Sequence, residues 1–320
     1  MDWVKKSWLP LGASIACGAL TACSQGPDMS GIAAERLRSV QRYDISQAMA
    51  SNGKVIVAGT QSGAVLSSED QGKTWKRTTL GNTSLVDMTV CGDQGFVAID
   101  HYHKVWSADA DGNNWKSVPL DMPKTPLALT CDKQGGWWVV GVNSVISGSA
   151  DRGATWKTTD LGEDTQITTI QFLDEKNAIA LGEFGLTVMS DDGGATWKKG
   201  PKMPGEFYPY AALFASRTEG WVAGVAGQML HTTDGGKSWT KQVNTTRASL
   251  NRLFMHEGKP FGVGAGGVIA QLDGNSWRAV PYTDAVPVFL GGGASLPGQS
   301  AIVIGGPGGL LRAVSTHAKQ

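Results

Sequence analysis

The 320-residue sequence lacks an excess of charge of either sign, since 28 lysines and arginines balance 28 aspartates and glutamates. Proteins that bind nucleic acid through its phosphates usually carry a basic excess, so the composition predicts no nucleic-acid partner. Charged residues make up only 18% of the chain, whereas there are 43 glycines and 12 tryptophans. This combination favours many tight turns with large apolar anchors over long helices.

The N-terminal region contains an apolar run, residues 7–20, that is too short to span a membrane as a helix. Two lysines precede this run, and Leu20-Thr21-Ala22-Cys23 follows it. A basic start, a short apolar core and small residues before a cut predict a secretory signal peptide over residues 1–22. The last four residues resemble the bacterial lipobox, which implies that Cys23 is lipidated and begins the mature chain.

A lipid at Cys23 attaches an exported protein to a membrane without a transmembrane segment. Serine at position 24 resembles the sorting signal for the outer membrane of Gram-negative bacteria. It implies an outer-membrane lipoprotein that faces the periplasm, or a thylakoid or lumenal protein in a photosynthetic host. Residues 23–36 contain two glycines and a proline, and we expect them to form a flexible tether.

A motif of the form Ser-x-Asp-x-Gly-x-Thr-Trp recurs along the chain. Four copies, of which the last differs only by exchanges of Ser and Thr, and two degenerate copies are present, at 68–75, 149–156, 190–197, 232–239, 111–115 and 273–277. Their tryptophans follow one another at intervals of 38 to 42 residues, at positions 75, 115, 156, 197, 239 and 277. This regularity predicts a repeat protein.

Each repeat contains four short apolar or alternating runs separated by glycine-rich turns. Four strands in about forty residues are the signature of a β-propeller blade. The last repeat supplies only three strands, and we expect residues 37–43 to pair as its missing outer strand, which leaves no open sheet edge. The sequence thus predicts an all-β, seven-bladed β-propeller of four-stranded blades over residues 37–316, closed by its two termini, with a C-terminal tail at 317–320.

The repeated motif is known as the Asp-box, and its residues have structural roles. The aspartate accepts hydrogen bonds from the turn, the glycine permits a positive φ, and the tryptophan buries a large ring between neighbouring sheets. The structural residues predicted on this basis are Asp70, Trp75, Asp151, Trp156, Asp192, Trp197, Asp234 and Trp239. The motif therefore identifies a fold and not a chemical activity.

Two further cysteines, Cys91 and Cys131, remain in the mature chain, and export places them in an oxidising compartment. They lie at matching positions, 24 and 25 residues before Trp115 and Trp156. A disulfide requires Cα atoms about 4.4 to 6.8 Å apart, which adjacent inner strands allow only in some cases. The sequence leaves a disulfide and two buried free thiols as alternatives.

The Asp-box turns and the turns between the first two strands of each blade share one end of the sheets, which we call the Asp-box face. The turns between the second and third strands and the connections between blades lie at the opposite end, which we call the loop face. Tyrosine and arginine dominate binding energies at interfaces, so residues of these types on the loop face predict a protein-binding surface. The alternative is that the rings only cap the channel. The candidate residues are Phe207, Tyr208, Tyr210, Arg247, Arg252 and Tyr282.

An enzymatic role finds little support in the sequence. The Phe/Tyr-Arg-Ile-Pro hallmark of sialidases is missing. Another glycosidase needs two carboxylates about 5 to 10 Å apart, and the loop-face candidates are Asp100, Asp164, Glu183, Glu206 and Asp284. His101 and His103 could face a metal, but no third ligand is evident. We therefore predict no catalytic residue, metal or cofactor, and keep a carbohydrate-binding or glycoside hydrolase-like propeller as the alternative.

The segment 220–239 reads Gly-Trp-Val-x-Gly-x-x-Gly-x-x-Leu-x-Thr-x-Asp-Gly-Gly-x-Ser-Trp. It resembles the repeat of the photosystem II stability/assembly factor family, and the resemblance covers residues 40–315. Members are seven-bladed lumenal propellers, some of them lipidated, that assist assembly of a membrane protein through an arginine-rich patch. The resemblance implies a monomeric, non-enzymatic scaffold or assembly factor, here an exported bacterial lipoprotein, with a protein partner in the envelope. Arginines are scattered along this sequence, so no residue is matched to that patch.

Overall fold

The computed structural model describes residues 28–316. Within them the chain consists of β-strands and turns, apart from the short helix α1 (Ser30–Arg36) and four 3₁₀ turns, Val142–Ser144, Glu183–Gly185, Val225–Gly227 and Ala265–Gly267. Helix α1 lies in the segment predicted as a tether and has no buried residue. No helix of the described residues is long and apolar enough to cross a membrane. The predicted signal peptide, Cys23 and the C-terminal tail lie outside the described residues.

Residues 38–316 form one compact unit in which the strands follow each other in groups of four. The first four groups are β1 (Ser46–Ser51), β2 (Ile56–Thr60), β3 (Ala64–Ser68), β4 (Lys76–Thr79); β5 (Leu85–Val90), β6 (Phe96–Asp100), β7 (Lys104–Ala108), β8 (Lys116–Pro119); β9 (Pro126–Cys131), β10 (Trp137–Gly141), β11 (Val145–Ser149), β12 (Lys157–Asp160); and β13 (Ile167–Phe172), β14 (Ala178–Gly182), β15 (Thr187–Ser190), β16 (Lys198–Lys199). The remaining strands are β17 (Pro209–Phe214), β18 (Gly220–Gly224), β19 (Met229–Thr232), β20 (Thr240–Asn244); β21 (Leu250–His256), β22 (Lys259–Gly264), β23 (Ile269–Asp273), β24 (Ser276–Ala279); and β25 (Gly292–Ser295), β26 (Ala301–Gly305), β27 (Leu311–Ser315).

Each of the first four groups is a separate four-stranded antiparallel sheet, paired in chain order. The fifth and sixth groups join into one eight-stranded sheet through a short parallel pairing of β20 with β24, at Val243 with Ser276 and Asn244 with Trp277. The last group has three strands. The all-β prediction with several four-stranded sheets is therefore confirmed.

Apolar clusters pack each group against the next. Val57 and Val65 of the first group, for example, pack with Phe96 and Trp106 of the second. Another cluster joins the last group to the first, through Ala294 and Val303 with Met49 and Leu66. The first strands of the seven groups, β1, β5, β9, β13, β17, β21 and β25, lie side by side in this order, and β25 also lies beside β1. The first strands therefore surround a common centre.

The prediction that residues 37–43 form the outer strand of the last group is wrong, because residues 38–45 contain no strand and the last sheet consists of β25, β26 and β27 alone. The carboxylate of Asp44, fully buried, accepts a bond from the amide of Gln41 at 2.8 Å and forms an ion pair with Arg77 at 2.8 Å. Arg77 also donates to the carbonyl of Ser39. This buried carboxylate holds the segment in a turn, which keeps it from pairing with β27.

Candidate functional site

The complete Asp-boxes form closed networks on the Asp-box face. In the third sheet, the Asp151 carboxylate accepts bonds from the Thr155 amide at 2.8 Å, the Thr155 hydroxyl at 2.6 Å and the Ser149 hydroxyl at 2.8 Å. Gly153 has a φ of 83°, and a Cβ there would lie 2.5 Å from Val118 of the preceding sheet. The same bonds recur around Asp70, Asp192 and Asp234. The lone pairs of the carboxylate oxygens that accept these bonds cannot also bind a ligand.

These bonds stabilise the ionised carboxylates. The side-chain and backbone hydrogen bonds from the threonine four residues on lower the pKa of Asp70, Asp151 and Asp192 to about 2. The bond from the Ser238 hydroxyl lowers the pKa of Asp234 in the same way. The Asp-box aspartates are thus charged, occupied turn formers.

The two degenerate motifs differ from the sequence-based expectation. In the second sheet Asp109, not Asp111, accepts the bonds of the turn, from the Asn113 amide at 2.8 Å and the Asn114 side chain at 2.7 Å. In the sixth group the chain turns in a tight hairpin between Asp273 and Ser276, so Trp277 lies within a strand. Trp277 is fully buried, whereas Trp75, Trp156 and Trp239 of complete motifs are only partly buried.

The loop face has a different surface. Of the eight large apolar side chains exposed within residues 38–316, seven lie in its turns and connections or at the adjacent strand ends: Tyr43, Tyr102, Phe184, Tyr210, Val225, Val286 and Phe289. The eighth, Val243, lies near the end of β20. The Asp-box face has none of these eight, and its turns between first and second strands present charged side chains such as Lys54, Asp93, Lys133 and Glu175. The exposed large apolar side chains of the described propeller thus lie almost entirely at one end of the sheets.

Six β-bulges aim side chains into the central cavity next to the loop face. In each of the first six groups, the second residue of the first strand has no partner on the second strand, which shifts the register. These bulged residues are Gln47, Val86, Leu127, Thr168, Tyr210 and Asn251, and all six line a cavity of about 570 Å³. The sequence signal is a broken alternation, since buried Ile167 and Ile170 are three residues apart instead of two.

An ion pair crosses this cavity. The Arg252 guanidinium of β21 lies 2.6 Å from the Asp87 carboxylate of β5, and it also donates to the Gln47 carbonyl at 3.3 Å. The strands β25 and β1 lie between β21 and β5, so the arginine side chain spans the distance between two first strands that are not neighbours. Asp87 is 7% exposed and its other oxygen accepts a bond from the Leu129 amide. Arg252 is therefore held within the channel.

The structure brings some of the predicted partner residues together and separates others. Tyr208 and Tyr210 contact each other edge to face, with ring centroids 5.6 Å apart. Tyr282 instead bonds the Gly267 carbonyl at 2.6 Å and lies under the guanidinium of Arg312. Arg247 is exposed, with a φ of 58°.

Phe207 was predicted on the binding surface, and this prediction is wrong. Its side chain is 1% exposed and belongs to an apolar cluster with Leu181 and Met203. The ring packs on Gly224, where a Cβ would lie 2.4 Å from it, so Phe207 fixes the loop from below and offers no contact to a partner.

The carboxylates considered for a glycosidase have unequal surroundings. Asp100 is fully buried, and its oxygens bond the Trp106 indole at 2.8 Å and the amides of Tyr102 and Lys104. It shapes its turn and is closed to a substrate. Asp164, Glu206 and Asp284 are exposed, and Glu183 is half-buried. Among residues 28–316, no group of three or more His, Cys, Asp or Glu side chains could hold a metal ion, and His101 and His103 gain no third ligand there.

Cys91 and Cys131 form a disulfide, with Cα atoms 5.3 Å apart. The bond links the ends of two adjacent inner strands, close to the Asp-box face. This resolves the two alternatives that the sequence left open in favour of the disulfide.

Comparisons with known proteins agree with this architecture. The model of a family described as photosynthesis system II assembly factor YCF48 matches residues 107–216 and 158–248. Photosystem II assembly lipoproteins Ycf48 of a Synechococcus species and of Prochlorococcus marinus are each 31% identical over 151 and 149 residues, which is 45% of this chain and 44% and 43% of theirs. The matched region thus spans less than half the length of these relatives.

Solved structures resemble the chain over most of its length. A structure of YCF48 bound to D1 peptide covers 87% of this chain and 96% of its own, with a TM-score of 0.68 at 15% identity. A virginiamycin B lyase from Staphylococcus aureus, in an inactive variant with quinupristin, covers 87% and 97%, with a TM-score of 0.74 at 13% identity. At these identities the likeness concerns the fold alone. The chain has the fold of an Asp-box propeller and resembles the photosystem II assembly factor family.

Proposed function

We propose that this protein is a non-enzymatic scaffold or assembly factor of the bacterial envelope that binds a membrane or exported protein through its loop face. One observation carries the proposal. Seven of the eight large apolar side chains exposed within residues 38–316 lie at the loop face, whereas the Asp-box face presents charged side chains, among them Lys54 and Asp93, which form ion pairs with Asp111 and Arg152. A surface of exposed aromatic and aliphatic groups is suited to a protein partner.

The same proposal includes a seven-bladed ring that closes between β25 and β1. The contact of these two strands and the apolar cluster of Met49 with Val303 support it. We further propose that Cys23 is lipidated after removal of residues 1–22, that residues 23–36 link the lipid to the propeller, and that the protein is a monomer facing the periplasm from the outer membrane. The names of the cyanobacterial relatives, which are lipoproteins, support the anchor.

The kind of partner is supported by a relative. The solved structure of YCF48 bound to D1 peptide is an example of this fold with a peptide as its ligand. The lyases with a similar fold share 11 to 13% of their residues with this chain, which leaves their chemistry without support here. We therefore favour protein binding over catalysis.

Photo-crosslinking in intact cells tests the proposal. A photoreactive amino acid is placed at Tyr102, Phe289 or Val286 on the loop face, or at Lys54, Glu175 or Lys259 on the Asp-box face as matched controls. We expect adducts with an envelope protein from the loop-face positions only. Adducts from the Asp-box face alone, or equally from both faces, would contradict the proposal.

A further inference from the structure

Four segments of the loop face meet at one place. The amide of Gly185 donates to the Phe207 carbonyl at 2.8 Å, and the amide of Val225 donates to the Tyr208 carbonyl at 3.1 Å. The Gln166 amide donates to the Glu183 carboxylate at 2.8 Å. These bonds link the connections 161–166 and 200–208 to the turns 183–185 and 225–227, so their side chains share one surface.

This surface combines aromatic rings with carboxylates, and we call it the acidic–aromatic patch. Its members are Asp164, Glu183, Phe184, Glu206, Tyr208 and Tyr210. Phe184 is 54% and Tyr210 is 38% exposed. Burial, followed by the charge of nearby Glu183, raises the pKa of Tyr208, so this phenol stays neutral beside the carboxylate. The patch therefore offers ring faces and edges next to negative charge.

The charge of the patch is not neutralised within the described residues. Glu163, at its border, forms an ion pair with Lys199 and lies near Lys202. Asp164, Glu183 and Glu206, in contrast, form no ion pair with any residue among 28–316. On a chain that carries no net charge, these three carboxylates create a local negative potential that attracts a cation.

The backbone of the patch is held in an unfavourable conformation at exposed positions. Phe184 and Glu206 have φ values of 55° and 50°, and Ala226 in the adjoining turn has 55°. These angles are sterically unfavourable for residues other than glycine. More than half of the Phe184 surface is exposed, so packing in the free protein covers only part of a ring that is held at this disfavoured backbone angle.

Resting on the proposed function, we propose that the acidic–aromatic patch binds an extended segment of the partner protein that carries lysine or arginine beside aliphatic residues. The cation lies against the rings of Tyr208 and Tyr210 and near Glu183, where cation–π attraction and charge act together. The aliphatic neighbours cover Phe184 and Val225. An acidic segment is repelled by the same three carboxylates, and a purely polar basic segment leaves the apolar rings exposed to water.

Fluorescence anisotropy with short labelled peptides tests the inference on the full mature chain in detergent. The probes are a peptide of alternating lysine and leucine, one of glutamate and leucine, and one of lysine and serine. We expect the lysine–leucine peptide to bind about tenfold more tightly than either of the others. Its affinity should fall as salt is raised, because the attraction is electrostatic and exposed.

Two variants locate the binding. The double variant Glu183→Gln with Glu206→Gln keeps an oxygen that accepts the bond from the Gln166 amide but removes two charges. It should lower the affinity for the lysine–leucine peptide about tenfold. Glu69→Gln with Glu175→Gln removes two exposed carboxylates from the Asp-box face and should leave the affinity unchanged. Tyr210→Ala should reduce affinity by a similar factor without changing the slope with salt.

Equal binding of all three peptides, or equal weakening by the two double variants, would overturn the inference. The crosslinking experiment decides the proposed function separately, because its positions lie outside the patch. If crosslinks form at the loop face but the peptides bind without regard to charge, the scaffold function is supported and the binding of a cationic segment is rejected. If the lysine–leucine peptide binds more tightly than the others and only the patch variants weaken it, the binding of a cationic segment is supported whatever the crosslinks show.

Discussion

The Asp-box face and the loop face are formed by opposite ends of the same repeats, but their side chains have different roles. On the Asp-box face, both carboxylate oxygens of Asp151 accept hydrogen bonds from its own turn, and its equivalents do the same. On the loop face, the tips of successive turns have nearly the same backbone, with φ values of 56°, 55°, 55° and 69°, yet carry Asn143, Phe184, Ala226 and Gly266. The residues that repeat in every motif therefore stabilise the fold, whereas the residues that vary at equivalent backbone positions make each part of the surface different.

The largest expected effect concerns the buried anchors near the Asp-box face. Trp277 is fully buried and its indole donates to Gln242 at 3.0 Å, so Trp277→Ala should lower the free energy of unfolding by about 3 to 5 kcal/mol. Trp156 is only partly buried, and Trp156→Ala should cost about 1 to 3 kcal/mol. Chemical denaturation of both variants measures the difference. Equal losses would show that burial does not set the contribution of each tryptophan, and a larger loss from Trp156→Ala would show that the complete motif does.

The disulfide is the next largest contribution on this side of the molecule. It links residues 40 apart in the sequence, so removing it frees a long loop in the unfolded chain. The double change Cys91→Ser and Cys131→Ser should lower the free energy of unfolding by about 2 to 4 kcal/mol. Unfolding in urea, with and without a reductant, checks this. The parent protein should lose stability on reduction and the double variant should not respond.

A third prediction tests the charged state of the Asp-box turns. The folded pKa of Asp70, Asp151 and Asp192 is about 2, below the ordinary value of 3.8. A lowered folded pKa contributes stability that is present above the ordinary value and is lost as the pH falls through the folded value. The unfolding midpoint should therefore drop between about pH 4 and pH 2. Asp151→Asn should flatten this dependence, whereas Asp191→Asn, which removes only a 4.0 Å ion pair with Lys198, should preserve it.

Local sequence features predicted the all-β fold and the complete Asp-boxes well, because each turn is closed by residues within eight positions of one another. The sequence did not predict Asp109 as the turn aspartate, because it lies six residues before Trp115. In the complete motifs the aspartate lies five residues before the tryptophan. Here an extra residue within the turn is enough to hide the pattern.

The channel and the loop face depend on which strands become neighbours, and the sequence does not contain that information locally. The ion pair of Arg252 with Asp87 joins residues from two distant groups, so Arg252 looked like a free surface residue. The sequence predicts an exposed Phe207 because it lies in a long loop between prolines. Its ring is buried instead, in space that Gly224 leaves free because it has no side chain. The turn of residues 38–45 likewise depends on Arg77, far along the chain.

The smallest expected effect has the opposite sign and compares two equivalent turns within the loop face. Phe184 and Ala226 occupy equivalent turn tips with a φ of 55°, which glycine adopts without the steric cost that other residues have. Phe184→Gly and Ala226→Gly should therefore each raise the free energy of unfolding by up to about 1 kcal/mol, less the greater freedom that glycine gives the unfolded chain. Only Phe184→Gly removes an exposed ring, so only this variant should also weaken the lysine–leucine peptide. Paired denaturation and anisotropy measurements compare the two. Loss of stability in Phe184→Gly alone would mean that the ring stabilises the free protein, and its position in the acidic–aromatic patch would then no longer indicate a role in binding.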